Sequence, residues 1–103
     1  MTATVQRRKV EILVDRPLVP RILAAAESVG VTGYTLIATL GGAGRAGLWR
    51  EDQVSGADSK LIFMTLTTAE KAAALTDALA DLLESHGLLL MTSTVDVVRG
   101  ENF

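Results

Sequence analysis

Three glycine-bearing turns and two arginines carry most of the chemistry this sequence offers. The first turn is Gly30-Val31-Thr32-Gly33-Tyr34-Thr35. Gly33 permits close backbone approach and Thr35 offers a hydroxyl, although a plain helix-to-strand turn wants the same glycine. The second is Gly41-Gly42-Ala43-Gly44-Arg45-Ala46-Gly47. Consecutive amides in such a run form an anion nest, and the Arg45 guanidinium matches phosphate or carboxylate; a flexible linker has the same composition. No Gly-Lys-Ser/Thr follows, and the run leads into a long loop rather than a helix, so neither the P-loop nor the dinucleotide fingerprint is present. The third turn, Gly87-Leu88, is in isolation a helix C-cap. Arg99, beside Gly100, is either a solvated terminus or an anion contact. Trp49, next to Arg50, Glu51 and Asp52, is either a partner anchor or a pin that holds its loop to the body. His86 falls at a helix C-terminus, where the dipole favours its cation, and reads as structural. Asp77, Asp81 and Glu84 form a solvated helix face. With no nucleophile–base pair and no marked pair of carboxylates, the expectation is a protein that is not an enzyme.

The residues that are missing narrow the field further. There is no cysteine and a single histidine among 103 residues, which removes disulfides, thiolate metal sites and Ser-His-Asp chemistry. A net charge of −2 lacks the basic footprint of a nucleic-acid binder. No apolar run approaches the roughly 20 residues of a membrane span. Glu11 and Asp15 interrupt any signal-type apolar segment after the basic N-terminus, so a cytoplasmic location is expected, without membrane insertion. The length fits one domain, residues 1–103, that has no room for a deep pocket of its own.

These residues need elements to position them. Arg8 to Asp15 alternates, with Val10, Ile12 and Val14 on one face, and predicts a strand; residues 1–7 are expected to fray. Pro17 and Pro20 suit a first helical turn, and Leu18, Ile22, Ala25/Ala26 and Val29 continue a helix over about 17–29, stopped by Gly30. Tyr34 to Leu40 predicts a second strand. Residues 41–59 hold five of the nine glycines and show no usable periodicity; a loop this long in so small a domain is read as functional. Lys60 to Leu66 predicts a third strand. Thr67 as N-cap with Glu70 three residues on forms a capping box, opening a helix with a stripe at Ala72, Leu75, Leu79, Leu82 and Leu83. Leu88 to Val98 predicts the last strand. The order βαββαβ predicts an α+β, ferredoxin-like fold, an antiparallel sheet with two helices on one face. Strands one and four are apolar on both faces over part of their length, which calls for cover by sister subunits.

Taken together, the order of elements and the motifs resemble the PII signal-transduction superfamily over roughly residues 9–103. GVTGYT (30–35) is similar to the family's Gly-Ile-Thr-Gly-Met-Thr segment, GGAGR to the glycine-rich start of its T-loop (about 41–59 here), and SKLIFMTL to the strand that follows. The run from Gly87 to Arg99 matches the B-loop end and final strand. The resemblance implies a homotrimer binding adenine nucleotide in clefts between subunits. In it Leu13, Gly33, Tyr34 and Thr35 would line adenine and ribose. Gly41, Gly42, Gly44 and Arg45 would meet phosphates from the T-loop base, and Gly87, Leu88 and Arg99 would meet the ligand from the neighbouring element. Trp49 and Arg50 would face a partner. Leu88 replaces the lysine of the family's Gly-Lys pair, and the T-loop has no tyrosine to uridylylate. These departures resemble the carboxysome-associated and bicarbonate-transporter-associated branch, as does the ending VVRGENF. That branch implies AMP, ADP or cyclic AMP rather than ATP, with bicarbonate near the T-loop and a membrane transporter or enzyme as target. The alternatives are a trimeric metal-responsive protein of CutA-like shape and a nitrogen-regulatory PII role.

Overall fold

Alternation in the first strand decides which side of the sheet becomes the core. In the computed structural model, which describes residues 3–44, 47–50 and 59–99, Val10, Ile12 and Val14 of β1 (Thr4–Asp15) are fully buried. Their neighbours point the other way, as period 2 requires. After β1 the chain makes a 3-10 turn, Arg16–Leu18, and enters α1 (Val19–Ser28), with Pro20 in its first turn. Gly30, at φ +83°, ends the helix in the left-handed region that glycine enters without strain. Strand β2 (Thr35–Ala38) follows, then a hairpin of β3 (Gly41–Gly44) and β4 (Gly47–Arg50), β5 (Lys60–Thr67), α2 (Ala69–His86) and β6 (Leu89–Val98).

The main sheet runs β2-β5-β1-β6, every pair antiparallel. This is the expected ferredoxin-like α+β fold. Both helices lie on one face: Ile22 and Ala26 of α1 and Leu75 and Leu79 of α2 join Val10, Ile12, Val14 and Phe63 in a single core. The opposite face carries Ile37, Ile62, Met64, Leu66, Leu89 and Met91 by register, beside the charged Lys9 and Glu11, and among the described residues no helix covers it.

Three local expectations change. Thr4 to Arg7 does not fray; it pairs with Val98 to Val95, because β6 is long enough to extend the ladder. The helix cap is Thr68, not Thr67. The Thr68 hydroxyl accepts from the Lys71 amide, while Thr67 is a buried strand residue paired with Arg8. Finally, the start of the glycine-rich segment is ordered backbone: Gly41 pairs with Arg50, Gly42 with Trp49 and Gly44 with Gly47. Glycines carry no side chain to display period 2, so this strand left no trace in the hydrophobic pattern. Residues 51–58 lie outside the described residues.

Candidate functional site

The hairpin is fastened to the body by its tryptophan. A Cβ on Gly42 would lie 2.4 Å from the Trp49 ring, so the ring occupies the space over that glycine. The Trp49 indole N–H donates to the Thr39 hydroxyl at 3.1 Å, and that hydroxyl donates to the Lys60 carbonyl at 2.8 Å. The Lys60 ammonium lies 5.2 Å from the Trp49 ring centroid and 2.6 Å from the Asp15 carboxylate. Cation–π contact and a half-buried ion pair therefore share one lysine. Beside them the Arg16 guanidinium donates to the Ser59 hydroxyl at 3.0 Å, and the Arg16 amide to the Ser59 carbonyl. The ends of β1, β2 and β5 are thus bound to the root of the hairpin. Of the two readings of Trp49, the described contacts are those of a pin.

This junction borders a cleft of about 540 Å³, lined by Leu13, Asp15, Ala43, Gly44, Gly47, Trp49, Lys60, His86, Gly87, Leu88 and Leu89. The volume falls in the range of small-molecule sites. Four of the expected nucleotide-binding residues meet here: Leu13, Gly44, Gly87 and Leu88. Gly41 and Gly42 lie in the same hairpin, three and two positions from Gly44, against the Trp49 side. Gly87 takes φ +61° and caps α2 through its amide to the Leu83 carbonyl; the following Leu88 amide bonds the same oxygen. The sharp turn places helix end, Leu88 and Leu89 on one wall of the cleft.

The other expected residues sit elsewhere on the chain. Gly33, Tyr34 and Thr35 enter the edge strand β2, whose Thr35 pairs with Met64, four residues along β5 from Lys60. The Gly33 carbonyl accepts from the Thr65 hydroxyl, and Tyr34 stacks on Phe63 with centroids 5.6 Å apart. Arg99 follows the far end of β6, at φ +61°. With about 3.3 Å per strand residue, it stands about 30 Å from the Leu89 end. One chain does not bring these groups together. Arg45 and the Arg50 side chain lie outside the described residues.

Asp15, Lys60 and His86 also line the cleft, and none was singled out as a ligand contact. Lys60 was legible only as the first residue of a strand, and Asp15 as the last residue of one; their meeting depends on the β1–β5 register, which pairs them. Among the described residues no three His, Asp or Glu side chains group as metal ligands, and no helix is long and apolar enough to cross a membrane.

No curated protein matches the sequence. Among solved structures the chain is similar to CPII, a nitrogen regulatory PII-like protein from Thiomonas intermedia K12, bound to ADP, AMP and bicarbonate. Identity is 19%, TM-score 0.90, with 100% of this chain and 98% of that chain covered. CPII bound to ADP and bicarbonate gives 20% identity and TM-score 0.87, covering 100% and 99%. A PII-like signalling protein from Thermus thermophilus gives 23% and 0.82, covering 97% of each chain. At these identities the likeness is one of fold. The family model for nitrogen regulatory protein P-II matches residues 7–102, and with that match over nearly its whole length the chain belongs to the P-II family.

Proposed function

We propose that this protein is a non-enzymatic regulator that binds an adenine nucleotide in clefts between the subunits of a homotrimer and signals through the glycine-rich T-loop. The observation that carries the reading is the cleft itself. Leu13, Gly44 and Gly47 at the turn end of the hairpin, and the Gly87-Leu88 turn form one wall system, while Gly33–Thr35 and Arg99 are displayed at remote edges of the same chain. A neighbouring copy packed on the uncovered sheet face supplies the missing half. The ligands of CPII point to ADP, AMP and bicarbonate as candidates here. Leu88, where a lysine would meet a terminal phosphate, favours AMP, ADP or cyclic AMP over ATP. The hairpin that Trp49 seats on the body, together with Arg50, is the surface offered to a partner. A membrane transporter or enzyme of inorganic-carbon uptake or fixation is the partner class we favour, and a cytoplasmic location follows from it. For signalling, the ligand must bind the docked and released states of the loop with different affinity.

Equilibrium dialysis of purified protein against AMP, ADP, cyclic AMP and ATP, with light scattering on the same samples, tests this reading. The expected outcome is a mass of three chains, retention of AMP or ADP, and weaker retention of ATP. A clean monomer at micromolar concentration, or no retention of any nucleotide at millimolar concentration, rules the reading out.

A further inference from the structure

His86 is the only histidine in the chain, and it lines the cleft rather than the outer face of α2. It is the last residue of an 18-residue helix, where the terminal carbonyls favour a cation. Its Nδ1 lies 2.8 Å from the Ser85 hydroxyl, its one hydrogen-bond partner among the described residues. That bond occupies one ring nitrogen and leaves Nε2 for a ligand.

Among the described residues the charges facing the same space are few. Strand β1 contributes Asp15 and strand β5 contributes Lys60, and the two are paired at 2.6 Å. The described hairpin residues on the wall, Ala43, Gly44, Gly47 and Trp49, are uncharged, as are Gly87, Leu88 and Leu89. Among the described residues the paired carboxylate and ammonium cancel, so the imidazole decides the net charge that these residues give the wall. Imidazole is the side chain that ordinarily changes charge between about pH 5 and 8.

We propose that His86 is an anion-binding residue of the cleft and makes nucleotide binding proton-dependent, tighter when the imidazole is charged. The inference rests on the nucleotide-binding reading above. By linkage, a ligand that binds better to the protonated form must hold the proton on His86 more tightly by the same factor.

Cyclic AMP is the suitable probe, because its phosphodiester keeps one negative charge across the range in which AMP and ADP phosphates titrate themselves. Calorimetry at about pH 6 and about pH 8 is expected to show cyclic AMP binding about two- to fivefold tighter at the lower pH, the size of a solvent-exposed ion pair. His86→Gln, which keeps a polar side chain before the Gly87 cap, is expected to bind at both pH values as the unmodified protein binds at the higher. Where AMP or ADP binds and cyclic AMP does not, proton NMR of the single imidazole decides: saturating nucleotide raises its titration midpoint by an amount matching the fold-change. Nucleotide binding with no pH dependence, pH dependence that survives in His86→Gln, or a midpoint that ligand leaves in place overturns the role of His86 alone. Failure of every nucleotide to bind at either pH overturns it together with the reading on which it rests.

Discussion

At Gly42 a methyl group has nowhere to go. It would meet the Trp49 ring at 2.4 Å, so Gly42→Ala forces the indole off its seat and away from the Thr39 hydroxyl and the Lys60 ammonium. Overpacking of this kind costs about 1–3 kcal/mol. A red shift of Trp49 emission and a lower unfolding midpoint are the expected readouts; emission unchanged from the parent would show that the pin does not exist. Gly33 is the opposite case. A Cβ there meets no atom within 4 Å and its φ is not in the left-handed region, so nothing inside the chain requires glycine. Gly33→Ala is therefore expected to leave stability within about 0.5 kcal/mol while weakening nucleotide binding, as ligand approach to that backbone demands. The two glycines are indistinguishable by type in the sequence. What separates them is a tryptophan seven residues beyond one, and open space beside the other. Lys60 and Asp15 were equally hard to find, since each ends or begins a strand and only the register joins them.

Among the elements, the helices and long strands were plainest to read because their apolar spacing is strict. Ala72, Leu75, Leu79 and Leu82 all lie in the core, and Gly30 and Gly87 both stop helices with positive φ. The cap of α2 was off by one residue, since Thr67 and Thr68 are both competent. The strand claims Thr67: its side chain falls on the buried face of β5, and only Thr68 is left to turn outward and bind the Lys71 amide. Thr68→Ala is expected to cost about 1 kcal/mol in chemical denaturation; a loss indistinguishable from zero would move the cap elsewhere. The β3–β4 hairpin was invisible for a different reason. Its regularity lies in backbone pairing and in one indole covering a glycine, an arrangement known to stabilise glycine-bearing ribbons, and neither produces alternating hydrophobicity.

For the whole molecule, the decisive property is that the candidate site is divided. Leu13, Gly44, Gly87 and Leu88 share a cleft, yet Gly33–Thr35 occupy the opposite edge of the sheet, and Arg99 stands beyond the far end of β6. The uncovered face, carrying Ile62, Met64 and Met91 beside Lys9 and Glu11, is the surface on which neighbouring copies would close that gap. A chain with four aromatic residues and one modest core gains by such packing both buried surface and a pocket. The fold class could be read from the order of elements. The resemblance implied a cleft between subunits but grouped Gly87, Leu88 and Arg99 together; their separation depends on how far β6 carries Arg99 from Gly87. Calorimetric titration of ADP into the Arg99→Ala variant, beside the unmodified protein, tests the account most directly. If Arg99 reaches a neighbour's cleft, its removal weakens ADP binding by about 1.5–3 kcal/mol, the worth of a charge-assisted hydrogen bond, although it stands about 30 Å along the strand from the cleft of its own chain. Unchanged ADP affinity in Arg99→Ala would contradict a nucleotide site completed between subunits.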